Sequence, residues 1–260
     1  MTPVRLAAVS YLNTKPFIYG LYKRLPADAF ELSLDIPSEC ARKLLANEAD
    51  LVLTPVAVIP DMDEVYLVSD YCIGSVGAVK TVCLYAERPL ADVRRVLLDF
   101  HSRTSVALVQ MLFQSYWKQD VVFEPAAPGF EQRIGGDTAA VVIGDRTIGL
   151  DARYPFVYDL GEAWMDWTGL PFVFAAWVSR KPLDPVFVQQ FNEALQAGMD
   201  HIPELIKILP TIPGFDLEAY FRKNISYALD DAKWTGLNHF LGMLSGDKGY
   251  TLKRTEVLAG

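Results

Sequence analysis

Cysteine is scarce in this chain of 260 residues, which carries only Cys40, Cys72 and Cys83. An odd, widely spaced set argues against a secreted disulfide framework, and the lack of a CxxC pair argues against a structural zinc site. Histidine is equally scarce. His101, His201 and His239 show no metal-ligand spacing, so no metal is expected. Positive charge is in deficit: 24 Lys plus Arg stand against 32 Asp plus Glu, a formal net charge of −8. That balance disfavours a nucleic-acid partner, whose phosphates would be repelled. No stretch approaches the roughly 18 consecutive apolar residues of a membrane-spanning helix, so no membrane partner is expected. The first apolar run, Leu6–Val9, is too short for a secretory signal, and the expected compartment is the cytoplasm. GxGxxG, P-loop and GxSxG motifs are all absent, as are repeats and low-complexity tracts.

What remains is an ordinary globular composition, 51% apolar and 22% charged. A chain this long builds a core without staples, and its length suits one or two domains. Strand and helix signals alternate from the start. Val4–Val9, Phe30–Ile36 and Asp50–Val58 read as strands. A helix capped by Thr14, with Pro16 in its first turn, and a second over 39–47 capped by Ser38 separate them. This β-α-β-α-β order predicts a parallel sheet covered by helices. A second unit follows, with strands over 93–100, 121–123 and 139–143 and a helix over 102–117. Strands over 65–70 and 78–85 are joined by a loop at 74–77, and another strand runs over 171–179. Beyond it the pattern is helical only: Phe187, Phe191 and Leu195 share one face, and Leu237, Phe240, Leu241 and Leu244 another. The strands over 78–85 and 171–179 are taken as crossings between two α/β lobes. Lobe 1 is 1–85 plus 173–260, and lobe 2 is 86–172, with a ligand cleft between them.

Three segments carry candidate chemistry. In DFHSRTS (99–105) a strand ends and a helix begins, so Ser102, Arg103, Thr104 and Ser105 occupy a first turn free of carboxylates. Backbone N–H groups, hydroxyls and a guanidinium there favour an anion. Equally, Ser102 merely caps the helix while Arg103 and Thr104 face water. In SYLNTKPF (10–17), Asn13 offers donor and acceptor at the carboxyl end of the first strand, or else the segment is only a turn and cap. In VVIGDRTIG (141–149), Gly144 permits close backbone approach to a ligand, and Asp145 either faces the site, caps, or binds Arg146. Trp164, Trp167 and Phe172 form a cleft wall or part of the core.

SYLNTKPF, TVCLYAERP (81–89), DFHSRTSVAL (99–108), VVIGD (141–145) and YDLGEAWMDWTGLPFVFAAW (158–177) together, in this order and spacing, resemble the chorismate dehydratase family of the futalosine route to menaquinone. The likeness runs from about residue 5 to 182 and implies a periplasmic-binding-protein type II fold. It also implies a carbon–oxygen lyase without metal or organic cofactor. Chorismate would lose its ring hydroxyl as water and become aromatic, giving 3-[(1-carboxyvinyl)oxy]benzoate. One residue departs from the family: Thr81 stands where Ser is usual, and a hydroxyl survives. On this reading Ser102–Ser105 bind one carboxylate of the substrate. Ser10 and Thr81 supply other polar contacts, with Gly144 and Asp145 beside them. Asn13 orients the substrate or the departing hydroxyl, and a substrate carboxylate takes the proton. Aromatisation supplies much of the driving force, so positioning and dipoles would carry most of the catalysis. Three rivals share the scaffold: a solute-binding protein, a sensor domain of a regulator, and the later naphthoate-forming synthase of the same pathway. The missing signal sequence, the lack of room for an N-terminal helix-turn-helix, and the SYLN and SRTS segments argue against each in turn. A non-catalytic small-carboxylate-binding protein is the standing alternative.

Overall fold

A computed structural model describes residues 2–255. Residue 1 and residues 256–260, the ends of the expected lobe 1, lie outside the described residues. Strands numbered along the chain fall into two sheets. The larger holds β1 (Val4–Val9), β2 (Phe30–Asp35), β3 (Leu51–Pro55), β4 (Val65–Ser75), β10 (Phe172–Ser179), β11 (Ser226–Ala228) and β12 (Leu252–Arg254). Its order is β11-β4-β10-β3-β1-β2, with β12 beside β4. The smaller holds β5 (Val82–Ala86), β6 (Arg95–Leu98), β7 (Val122–Pro125), β8 (Thr138–Ile143) and β9 (Phe156–Asp159), in the order β7-β6-β8-β5-β9.

The apolar runs sit where two-sided burial demands them. β3 and β10 are buried at every position and lie inside the larger sheet, whereas β2, with polar residues at alternate positions, takes its edge. The β-α-β-α-β segment gives the parallel trio β2-β1-β3. The sheets as wholes are mixed, because β10 runs antiparallel to β3 and β4, and β5 antiparallel to β8 and β9. Both are strands on which the chain changes lobe.

The expected crossing strand over 78–85 is shorter. Residues 76–81 form a loop, and the strand starts at Val82, inside the smaller sheet and short of the expected boundary at 85. Left-handed backbone at Gly77 and Lys80 breaks the extended run. The Asp159 carboxylate fixes the loop by accepting the N–H groups of Val79 (3.1 Å) and Lys80 (2.6 Å). The segment beyond residue 179 is also not purely helical. β11 and β12 return to β4, each only three residues long and too short for a periodicity to register.

Helices α1 (Lys15–Arg24), α2 (Pro37–Leu45), α3 (Thr104–Met111), α4 (Leu160–Thr168), α5 (Pro185–Asp200), α6 (Ile202–Ile208), α7 (Leu217–Ala219) and α8 (Asp231–Ser245) complete the fold. None among the described residues is long and apolar enough to cross a membrane. Asp159, Asp184 and Asp230 cap α4, α5 and α8 by accepting first-turn N–H groups. The expected caps Ser38 and Thr14 do not cap. Ser38 lies inside α2, which Pro37 opens, and the Thr14 hydroxyl donates to Asn13 Oδ1 (3.2 Å). α1 is pressed against α5 at Gly20 and Gly198, where a Cβ on either would lie 2.0 Å from a carbonyl oxygen of the other helix. That contact fixes the start of α1, and with it the Asn13 segment.

Candidate functional site

Between the sheets lies a narrow cavity of about 50 Å³, smaller than the roughly 300–1,000 Å³ of typical small-molecule sites. It forms where the carboxyl ends of β1, β3, β6 and β8 face one another, the usual position for a ligand in open α/β sheets. The end of β1 and the helical turn that follows it, Leu12–Thr14, decide which side chains reach it. Val9, Tyr11 and Asn13 line it. Ser10 and Leu12, the positions between, do not line it. Ser10 is exposed, and its N–H donates to the Asp35 carbonyl (2.9 Å).

The smaller sheet contributes the start of α3. Ser102 Oγ accepts the Ser105 N–H (2.9 Å), so Ser102 does cap the helix. Thr104 Oγ1 accepts the N–H of Ala57 from the opposite lobe (3.2 Å). Each hydroxyl has thus taken a backbone hydrogen on its oxygen and keeps its own hydrogen to donate. Both line the cavity, as does Ser105. Thr81, on the crossing, pairs its hydroxyl with that of Tyr220 (2.8 Å), reached from the helical turn after α7. The remaining walls are apolar, among them Ile73, Val79, Ile143 and Phe174. Among the described residues no charged side chain lines the cavity.

Polar contacts tie the lobes together around its rim. The Asp145 carboxylate accepts the Leu12 N–H at 3.0 and 3.2 Å. The Tyr11 hydroxyl lies 2.5 Å from His101 Nδ1, and the His101 carbonyl accepts the Ser38 N–H (3.0 Å). Burial, with Arg146 adding to it, lowers the His101 pKa to about 4, and burial raises that of Tyr11. The ring is therefore neutral and the phenol protonated, so Tyr11 donates and Nδ1 accepts. Gly144 holds a left-handed φ of 66°, and a Cβ there would lie 2.5 Å from the Tyr11 ring. Behind the rim, buried Asp99 accepts the N–H groups of His101 (2.9 Å) and Ile143 (3.0 Å) and pairs with Arg146, which also binds Glu131 (2.9 Å). Asp99 thereby joins the two loops that deliver Ser102–Ser105 and Gly144. Burial raises its pKa, and Arg146 opposes the rise.

Of the candidate residues, Asn13, Thr81, Ser102, Thr104, Ser105 and Gly144 meet at this cavity. Ser10, Arg103 and Asp145 do not line it. Ser10 falls on the wrong side of the strand alternation. Arg103 precedes α3 with its side chain half exposed, 3.7 Å from Asp61 of the other lobe. Asp145 is engaged by Leu12, not Arg146. The aromatic trio does not wall the cleft: Trp164 and Phe172 are core, and Trp167 stacks on Tyr116. Phe174 takes that place. Tyr11, His101 and Tyr220 were missed as site residues. Tyr11 lies two residues beyond Val9, on the same side of the chain, but nothing local in the sequence ties Tyr220 to Thr81.

Residues 4–245 match the family model described as menaquinone biosynthesis. Over 268 aligned residues, covering 92% of this chain and 94% of the relative, the chain is 28% identical to a chorismate dehydratase of Thermus thermophilus. Solved structures share the fold at low identity. A protein of Archaeoglobus fulgidus superposes with a TM-score of 0.67 at 15% identity, covering 95% of this chain and 98% of that one. A Candida albicans protein described as having the generic periplasmic binding protein fold gives 0.66 at 10%, with 100% and 99% covered. The periplasmic aliphatic sulphonate binding protein of Escherichia coli gives 0.62 at 14%, with 95% and 93% covered. The two-lobed architecture is thus that of the periplasmic binding proteins, and the chain belongs to the menaquinone-biosynthesis family.

Proposed function

We propose that this protein is a hydro-lyase that eliminates water from chorismate to give 3-[(1-carboxyvinyl)oxy]benzoate. The observation that carries the reading is the cavity itself, in which Asn13, Thr81 and the hydroxyls of Ser102, Thr104 and Ser105 converge without a charged side chain among the described residues. A dianion entering it meets neutral donors only. Long-range attraction is no help either, since the chain is net negative. Hydroxyl hydrogens at the start of α3 grip one carboxylate, aided by the positive end of the helix.

A carboxylate held without a counter-cation in a dry site stays basic. That suits it to remove the ring proton, and the cavity supplies no Asp, Glu or His side chain for the task. In this mechanism a substrate carboxylate takes the proton while the Asn13 amide orients the ring hydroxyl as it departs. Electron density from the broken C–H bond forms the new ring double bond, the C–O bond breaks with its electron pair on oxygen, and the protonated carboxyl hands its proton to the departing hydroxyl, which leaves as water. The two lobes, parted at the first crossing over 76–81 and again on entry to β10, close over the substrate and exclude solvent. Cys40, Cys72 and Cys83 are free and buried, which suits a reducing compartment, and we assign the protein to the cytoplasm.

Turnover of chorismate by wild type and by Asn13→Ala tests the roles. Loss of at least about a hundredfold in kcat with Asn13→Ala supports them. Near-normal turnover removes Asn13 from the mechanism. Saturable binding with chorismate left intact by wild type would make the protein a carboxylate-binding protein instead.

A further inference from the structure

Asn13 sits on a single turn, Leu12–Thr14, whose leading N–H belongs to Leu12. That N–H is bound from the opposite lobe, by both oxygens of Asp145. The Asn13 carbonyl is held from the near side, by the Tyr227 hydroxyl (3.0 Å). The turn is therefore suspended between the lobes. Asp145 itself stands on a braced support. Thr147 Oγ1 donates to the Gly144 carbonyl (2.8 Å), the Gly144 N–H donates to the Thr81 carbonyl (2.8 Å), and the Ile148 N–H donates to the Asp145 carbonyl (3.2 Å). Its carboxylate lies outside the cavity, where its charge faces a backbone donor and not a dianionic substrate.

We propose that Asp145 is a positioning residue: when the lobes close, its carboxylate takes the Leu12 N–H and sets the Asn13 turn against the substrate. The proposal rests on the dehydratase reading of Asn13. Closure and catalytic geometry are then one event, because the residue that latches the lobes also aims the amide. Gly144 belongs to the same device, since the Tyr11 ring occupies the space a Cβ would need.

The test uses Asp145→Ala, Asp145→Asn, Asn13→Ala and the Asp145→Ala/Asn13→Ala double variant with chorismate as substrate. Asp145→Ala is expected to lower kcat roughly ten- to hundredfold, the worth of a hydrogen bond to a charged group, with KM changed by less than about threefold. Asp145→Asn keeps an acceptor oxygen and recovers most of the loss. In the Asn13→Ala background Asp145→Ala has little further effect, since the two act as a unit. Wild-type kcat in Asp145→Ala, or the same factor lost in both backgrounds, overturns the proposal. So does Asp145→Asn as slow as Asp145→Ala. The latch is also read without turnover, by amide hydrogen exchange over residues 10–14. Faster exchange in Asp145→Ala than in Asp145→Asn supports it, and equal exchange in wild type and Asp145→Ala overturns it. Wild type that leaves chorismate intact overturns the dehydratase reading alone, and the exchange result then still decides the latch.

Discussion

Gly144→Ala is the substitution on which the closed geometry makes its sharpest demand. Two costs add at this residue. A left-handed φ of 66° disfavours any side chain with a Cβ, by about 1–2 kcal/mol. The new methyl would also lie 2.5 to 2.6 Å from three atoms of the Tyr11 ring, nearly an ångström inside ordinary contact. Either the ring retreats or the lobes part. Both break the Tyr11–His101 contact and shift the neighbouring Leu12–Asp145 pair, so Asn13 moves with them. A misplacement of about 1 Å costs on the order of a hundredfold in rate, and kcat/KM for chorismate is expected to fall by that much. The backbone cost alone, at about 2–4 °C per kcal/mol for a chain of this size, lowers the melting temperature by about 2–8 °C. Steady-state kinetics beside a thermal melt separates the two effects. A Gly144→Ala enzyme within about threefold of wild-type kcat/KM would refute the closed-state geometry as the catalytic one.

Three further outcomes follow from the same contacts. The unfolded chain protonates His101 near its ordinary 6.5, whereas burial and Arg146 keep the ring neutral to about 4. The folded state therefore loses stability as pH falls through that window. Melting temperature should drop between pH 7 and pH 5, and the drop should shrink in His101→Gln; parallel curves would exclude the ring as the cause. Asp99→Ala leaves Arg146 with Glu131 as its one remaining carboxylate partner and strands two backbone N–H groups. It should cost about 3–5 kcal/mol and roughly 6–20 °C in melting temperature, and an unchanged melt would dismiss its role in joining the two loops. Ser10→Ala and Arg103→Ala touch an exposed hydroxyl and a half-exposed surface pair outside the cavity. Both should keep kcat/KM within about twofold, and a large loss in either would mean the ligand reaches further out than the cavity described.

The parts of this architecture written in local pattern were legible beforehand. The Val4–Val9 run, the β-α-β-α-β order and the apolar 171–179 stretch each dictate a buried strand whatever surrounds it, and β1, β3 and β10 lie accordingly. The Ser102–Ser105 segment was legible because a strand end followed by a carboxylate-free helix start is a local feature. Asp145 and Arg103 were not legible as to role. Each is polar at a strand end or helix start, and only the packing of the opposite lobe decides whether it meets the cavity, Leu12 or Asp61. Ser10 failed for a different reason, since one step of strand alternation turns it away. Tyr220 lies 139 residues from Thr81, so their contact belongs to tertiary structure alone.

The most direct measurement is the product formed from chorismate by purified protein with no metal or cofactor added, followed by chromatography and mass. A cation-free cleft that lets its substrate supply the base should convert chorismate to a species lighter by one water and aromatic, with the enol ether intact. Chorismate recovered unchanged, or a product that has lost the enolpyruvyl group instead of water, would contradict that chemistry.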